Sequence, residues 1–210
     1  VKLDSTNWNA MEHIGLDTGA TINLRMEGNE SSNVIQGKDG NDLISGYGGN
    51  DNLYGGGGSD TLTGGVGIDT LYGEAGNDTL YVDSSDTAFG GAGADAFFMA
   101  DHETSGKVNG GAGADVFHMF AGDENNYIIE DEYFDMGDVI RFDVNSDSVR
   151  MDAKRIIILR EDGAEETNHG VYFSNSPEEL LWNRMQHLTI RFANGETWGV
   201  DEIKAHVLAG

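Results

Sequence analysis

Gly37-Lys-Asp-Gly-Asn-Asp42-Leu-Ile44-Ser opens a run of five nine-residue phrases that ends at Tyr81. The next four begin at Gly46, Gly55, Gly64 and Gly73. Each places an aspartate sixth (Asp51, Asp60, Asp69, Asp78) and a leucine eighth (Leu53, Leu62, Leu71, Leu80). A weaker copy precedes them at Gly28–Gln36, with Asn33 in the Asp slot and Ile35 in the apolar slot. Two more follow after interruptions at Val82–Phe89 and Met99–Asn109: Gly90-Gly-Ala-Gly-Ala-Asp95-Ala-Phe97 and Gly110-Gly-Ala-Gly-Ala-Asp115-Val-Phe117.

Positions one to six hold glycines and an aspartate. Glycine adopts backbone angles closed to other residues, so carbonyls can crowd toward one point. Positions seven to nine are long enough for a minimal strand whose middle side chain points inward. Two phrases then make one coil of a flattened roll, and every second loop stacks on the same edge. Asp42, Asp60, Asp78, Asp95 and Asp115 fall on one edge. Asn33, Asp51 and Asp69 fall on the other, continued by the irregular Asp83-Ser-Ser-Asp86. Carboxylates one strand spacing apart, ~4.8 Å, repel unless a cation lies between them. Calcium accepts six to eight oxygens, carbonyls included, whereas magnesium keeps its waters. Transition metals favour His or Cys, which the loops lack. The alternative for Gly/Asp-rich sequence is a flexible linker. A linker has no reason to keep Asp at nine-residue spacing with an aliphatic residue always two positions later.

The phrase GGxGxDxUx is the calcium-binding nonapeptide of parallel β-helices, and the array resembles the RTX family of secreted bacterial proteins. The resemblance implies a right-handed parallel β-roll with calcium in its turns. Each ion would take carbonyls from positions two and four of one loop, from positions one and three of the loop stacked on it, and both aspartates. On this chain one such set is Lys38, Gly40, Asp42, Gly55, Gly57 and Asp60; the next is Gly56, Gly58, Asp60, Gly73, Ala75 and Asp78. Continuing along that edge, the rule reaches Glu74, Gly76, Gly90, Ala92 and Asp95, then Gly91, Gly93, Gly110, Ala112 and Asp115. The opposite edge offers Tyr47, Gly49, Asp51, Gly64, Val66 and Asp69, with Gly65, Gly67, Asp83 and Asp86 beyond. Asn33 supplies a neutral amide where an anion is expected. Roughly five to seven ions follow from the adjacent pairs.

Charge divides the chain. Residues 1–138 carry 25 acidic and 4 basic side chains, residues 139–210 carry 12 and 8, and the whole is −25. An acidic half this strong argues against nucleic acid or an anionic membrane as partner. It also predicts an expanded chain without calcium. No stretch approaches transmembrane length, so membrane insertion is not expected. Without cysteine, no disulfide braces the fold. The start, Val1-Lys-Leu-Asp, lacks the basic and apolar regions of a cleaved signal. Relatives leave the cell by type I secretion, and a start without Met, in mid-pattern, suggests an excerpt of a longer protein.

Three regions are expected. Residues 1–27, with Met11–Leu16 and Ala20–Met26, read as strands leading into the roll. Residues 28–118 are the roll. Residues 119–210 form a small β-rich cap with one or two short helices, needed because a solenoid end otherwise exposes core and strand edges. Asp131, Asp135 and Asp138 are candidates for a terminal calcium or a solvated acidic turn. Arg155–Arg160, Val171–Phe173 and Leu188–Phe192 read as strands. Asn194-Gly195 reads as a type I′ turn into Thr197-Trp198. Helices are expected from Ser176-Pro177 to about Gln186 and over Asp201–Leu208. Ile190-Arg-Phe-Ala-Asn-Gly195-Glu-Thr-Trp198 resembles a phrase of the haemolysin-type calcium-binding related domain that follows such repeats.

Catalytic signals are missing. No Gly-x-Ser-x-Gly elbow or His-Glu-x-x-His helix is present, and the six histidines, His102 beside Glu103 and His118 among them, lack metal spacing. An enzyme is not expected. Tyr47, Tyr54, Tyr72 and Tyr81 read as a ladder that either pairs ring on ring or stacks against sugars. The reading that follows is a calcium-binding extracellular module of a larger protein, with neighbouring domains and the type I secretion machinery as partners. Its rival is an adhesin or matrix module gripping polysaccharide.

Overall fold

The computed structural model describes residues 21–83, 85–99, 106–119, 126–129, 137–143, 149–151, 155–158, 170–173 and 187–209. The expected strand at Met11–Leu16, the expected helix after Ser176-Pro177, His102, Asp131 and Asp135 lie outside these residues.

Successive nonapeptides alternate between two sheets. One sheet stacks Arg25–Asn29, Leu43–Gly48, Thr61–Val66, Thr79–Val82, Ala96–Met99, Val116–Met119, Val139–Phe142 and Thr189–Arg191 in parallel. The other stacks Val34–Asp39, Asn52–Gly57, Thr70–Ala75, Thr87–Ala92, Lys107–Ala112, Asn126–Ile129 and Gly170–Phe173 in parallel. This is the expected β-solenoid. The register advances one coil per two phrases: Leu43 pairs with Thr61, and Asn52 with Thr70. The first interruption costs a coil one residue, since Thr70 pairs with Thr87. The second interruption lengthens a coil by two residues, since Thr87 pairs with Lys107. The inward slots stay in phase across both changes, Leu71 pairing with Ala88 and Ala88 with Val108, whereas a slip of one residue would turn every inward side chain outward.

The core is a single file between the sheets. Met26, Ile44, Leu62, Leu80, Phe97, Phe117, Ile140 and Ile190 line up on one sheet; Ile35, Leu53, Leu71, Ala88 and Val108 line up on the other, all of them buried. Each comes from the eighth slot or its continuation, where a strand's middle residue points inward. Beyond Phe142 the pattern changes to hairpins. Thr189–Arg191 pairs antiparallel with Thr197–Trp198, and Arg155–Ile158 lies antiparallel to both Gly170–Phe173 and Val149–Met151. The expected type I′ turn at Asn194-Gly195 is not formed. Gly195 has φ +85°, but Asn194 is not among the residues of positive φ, which a type I′ turn requires at both centres. Instead the Gly195 N–H donates to the Phe192 carbonyl and the Phe192 N–H to the Glu196 carbonyl, each at 3.0 Å. That is a three-residue loop closed by glycine, which lets the buried Phe192 and Trp198 rings meet edge to face at 4.6 Å. The final helix, Val200–Ala209, matches the expected span with Asp201 and Glu202 at its positive pole.

The four tyrosines do not form one ladder. Tyr54 and Tyr72 stack on one sheet, at 4.8 Å and 4°, and Phe89 continues them at 5.1 Å. Tyr81 stands on the other sheet against Phe98, and Tyr47 lies near the end of the Leu43–Gly48 strand at φ +76°. Ring-on-ring pairing thus covers both faces of Tyr72 and one face each of Tyr54 and Tyr81.

Candidate metal centres in the stacked loops

The aspartates form two hydrogen-bonded ladders along the roll. On the first edge the backbone N–H of Asp42 donates to Asp60 Oδ1 at 2.7 Å. Asp60 donates likewise to Asp78, Asp78 to Asp95, Asp95 to Asp115 and Asp115 to Asp138, each at 2.8 Å. On the second edge Asn33 donates to Asp51 and Asp51 to Asp69, both at 2.7 Å, and Asp69 to Asp86 at 2.8 Å. The ladder fixes each carboxylate's rotamer. One oxygen reaches the preceding coil, and the other is left to face the following one.

That second oxygen has no partner. Oδ2 of Asp42, Asp51, Asp60, Asp69, Asp78 and Asp95 is buried and accepts no hydrogen bond. What it faces is another acceptor. A Cβ on Gly37 would strike both Asp42 Oδ2 and the Gly55 carbonyl, so the two oxygens meet over one backbone position. The same holds over Gly55 for Asp60 and the Gly73 carbonyl, over Gly73 for Asp78 and that of Gly90, over Gly90 for Asp95 and that of Gly110, and over Gly46 for Asp51 and that of Gly64. The carbonyls of Lys38 and Gly40 rise beneath Gly56 and Gly58, which lie at φ +111° and +123°, and those of Tyr47 and Gly49 beneath Gly65 and Gly67. The third-position carbonyls of Gly57, Ala75, Ala92 and Ala112 accept the N–H groups of Gly40, Gly58, Gly76 and Gly93, leaving one lone pair each. Val66 occupies the same slot with its side chain in solvent, 79% exposed.

Buried acceptors facing each other with no donor are costly. A hard cation resolves the conflict, and oxygen-only donors at carbonyl-rich spacing suit calcium. No three acidic or histidine side chains cluster among the described residues. Each gap offers at most two carboxylates, and backbone carbonyls must complete any shell.

Residues 27–62, 54–84 and 83–98 match the family model of the RTX calcium-binding nonapeptide repeat, in four copies. These residues are RTX repeats. The matched segments cover about a third of the chain, and no curated protein matches it. RTX repeats bind calcium, which agrees with the acceptor-lined gaps.

Three positions depart from the repeat. Asn33 Oδ1 accepts the Asn29 N–H at 2.9 Å, so the gap below Asp51 has a neutral, satisfied oxygen. Asp86 fills the aspartate slot of the second edge, but its Oδ2 accepts the Asp83 N–H at 3.1 Å, which closes that ladder. Asp138, wholly buried, extends the first edge past the matched repeats, and its carbonyl accepts the Thr189 N–H at 3.0 Å.

Two features were not singled out from the RTX sequence pattern. Ile22-Asn23-Leu24 forms half a loop beneath Gly40–Asp42: the Ile22 carbonyl lies under Gly40, and the Leu24 N–H donates to Asp42 Oδ1 at 2.6 Å. Leu24 therefore stands in an aspartate slot and ends the first ladder. The available signal was Leu24 two residues before Met26, itself nine before Ile35. The fifth loop position builds a second, outer ladder. Asn41 N–H donates to Asn23 Oδ1 and Ser59 N–H to Asn41 Oδ1, both at 2.9 Å, and Ala94 N–H to Asn77 Oδ1 at 2.9 Å.

Burial raises the carboxyls of Asp51 and Asp60 to about 6 and that of Asp95 to about 7; neighbouring aspartates add to each rise, and the ladder hydrogen bond opposes it. Asp86 is pushed up to about 8, again chiefly by burial. A group raised in the folded state favours folding below its unfolded pKa and loses that contribution as pH rises through the folded value. In chelator the RTX roll should therefore gain strand signal as pH falls from 8 towards 4. In calcium the sign reverses, because protons compete for the ligands. Circular dichroism at both conditions reads the two slopes; parallel slopes would contradict the assignment.

Lys38, Tyr47 and Glu74 occupy the second loop position at φ +81°, +76° and +75°, where four other copies have glycine. A left-handed backbone costs a side-chain-bearing residue ~1–2 kcal/mol. Glu74 also adds negative charge beside Asp60. Glu74→Gly should stabilise the calcium-loaded roll by about 1 kcal/mol. Glu74→Gln, which keeps the strained backbone, should recover less than half of that in thermal denaturation.

Proposed function

We propose that this chain is a calcium-triggered folding module of a larger, type I-secreted bacterial protein. Seven gaps are the candidate sites: Asp42/Asp60, Asp60/Asp78, Asp78/Asp95, Asp95/Asp115, Asp115/Asp138, Asp51/Asp69 and Asp69/Asp86. The observation carrying the reading is the row of buried carboxylate oxygens facing carbonyls with no donor. The ligand sets are those of the expected loop pairs, Lys38 and Gly40 with Gly55 and Gly57 being the first. Gly65 and Gly67 would serve the gap closed by Asp83 and Asp86.

Extracellular calcium modules bind at around 10⁻⁴–10⁻³ M. At cytosolic calcium the acidic chain stays expanded and threadable through the type I secretion machinery. Outside the cell it folds, and residues 119–210 cap the last coils of the 28–118 roll. The folded roll then seeds neighbouring domains of the parent. Binding and folding, not catalysis, is the role assigned. Among the described residues no helix is long and apolar enough to cross a membrane.

Limited proteolysis tests the switch. At ~1 µM calcium the chain should be degraded throughout, and at ~10 mM the roll should resist, since these concentrations bracket the binding range. Equal resistance at both concentrations would overturn it.

A further inference from the structure

The outward side of the first sheet changes character towards its C-terminal end. Tyr81, Phe98, His118, Arg141 and Arg191 are register neighbours on five successive strands. Tyr81 stacks on Phe98 at 5.3 Å, and Phe98 on His118 at 4.4 Å. The column then becomes two adjoining arginines, both exposed. Neighbouring strands lie ~4.8 Å apart, and like charges directly opposite one another are destabilising. Among the described residues neither arginine forms an ion pair. Such a juxtaposition is unusual in a chain with 12 basic and 37 acidic residues.

A cavity of about 410 Å³ opens at this place. His118, Arg141 and Arg191 line it beside the apolar Met119, Phe142 and Phe192. Asp143 and Glu196 share its wall, but Glu196 Oε1 is held by the Trp198 Nε1–H at 2.8 Å. The volume falls in the ~300–1,000 Å³ range of small-ligand sites. Guanidinium groups recognise carboxylates bidentately, and an apolar floor suits the body of a ring. Burial, and then Arg141, hold His118 below its usual value, so at neutral pH it presents an uncharged ring.

We propose that this cavity binds the carboxylate-bearing ring of an acidic saccharide, a uronic acid unit, with Arg141 and Arg191 clamping the carboxylate and His118 flanking the ring. None of the ladder aspartates lines the site, which lies on the strands that follow Asp115 and Asp138. It also differs from the tyrosine ladder considered from the sequence, of which only Tyr54 and Tyr72 stack on each other.

Titration of the whole chain in saturating calcium with trigalacturonate, monitored by calorimetry, tests this. Binding should appear, weaken with salt, and fall about tenfold or more in Arg141→Gln/Arg191→Gln, the loss expected for a charge-assisted contact. Neutral galactotriose should not bind. Thermal denaturation of the same samples with and without calcium reports the folding switch separately, so failure of either proposal shows on its own. Should the double variant misfold, the Arg141 and Arg191 Nε–H resonances of the unmodified chain should shift on titration. No heat and no shift, undiminished binding by the folded variant, or inorganic sulfate binding as tightly as trigalacturonate would each overturn the proposal.

Discussion

In chelator at neutral pH the strand signal of the roll should collapse, and millimolar calcium should restore it, whereas equal magnesium should not. A site that binds only the folded state contributes RT ln(1 + [L]/Kd), ~2.7 kcal/mol at a hundredfold excess over Kd. Seven such sites would exceed the ~5–15 kcal/mol net stability of an ordinary domain. The core offers little to offset their loss, because each strand contributes only its inward residues to a narrow file between two sheets. Meanwhile the apo roll must hold Asp51, Asp60, Asp69, Asp78 and Asp95 in dry positions against other acceptors. The titration should be steep, since each interior aspartate belongs to two gaps. Circular dichroism in calcium, magnesium and chelator measures all three arms. A full strand signal in chelator at pH 7 would contradict the expectation.

Asp60→Ala should be the most damaging single substitution in the array. Asp60 Oδ1 accepts the Asp42 N–H on one side, and its Oδ2 faces the Gly73 carbonyl on the other. Its removal disables both gaps and should cost roughly 5 kcal/mol in saturating calcium, twice the single-site figure. Asp138→Ala, at the end of its ladder, should cost about half as much. The sign should change in chelator, because deleting a buried carboxylate whose Oδ2 meets no donor then relieves desolvation and repulsion from Asp78 and Asp42. Thermal midpoints with and without calcium distinguish this from a packing defect, which would destabilise both states. Asn33→Asp should act oppositely, adding an anionic gap below Asp51 and raising the midpoint in calcium.

The repeat period made the RTX roll legible. Glycine, aspartate and leucine recur at fixed slots, so sheet alternation, the core file and both aspartate edges follow from residue spacing alone. Continuation of the second edge was legible only as the irregular Asp83-Ser-Ser-Asp86, because Asp86 stands 17 residues after Asp69 and breaks the period. Features without a period were not. The half-loop at Ile22–Leu24 hides because leucine replaces the aspartate that marks the slot. The interruptions carry no spacing that tells a shortened coil from a lengthened one. The tyrosines misled because ninth-slot residues alternate between sheets, and Tyr47 is not in that slot. Arg141 and Arg191 lie far apart in the chain and become neighbours only through the pairing of Val139 with Thr189, which no local pattern encodes.

Long-wavelength diffraction from crystals grown in calcium examines the ladders atom by atom. Anomalous peaks are expected in the gaps from Asp42/Asp60 to Asp115/Asp138 and at Asp51/Asp69 and Asp69/Asp86, each within bonding reach of carboxylate and carbonyl oxygens. Aspartates turned outward to solvent, with no anomalous signal between the coils, would contradict the assignment of calcium as the ion that joins them.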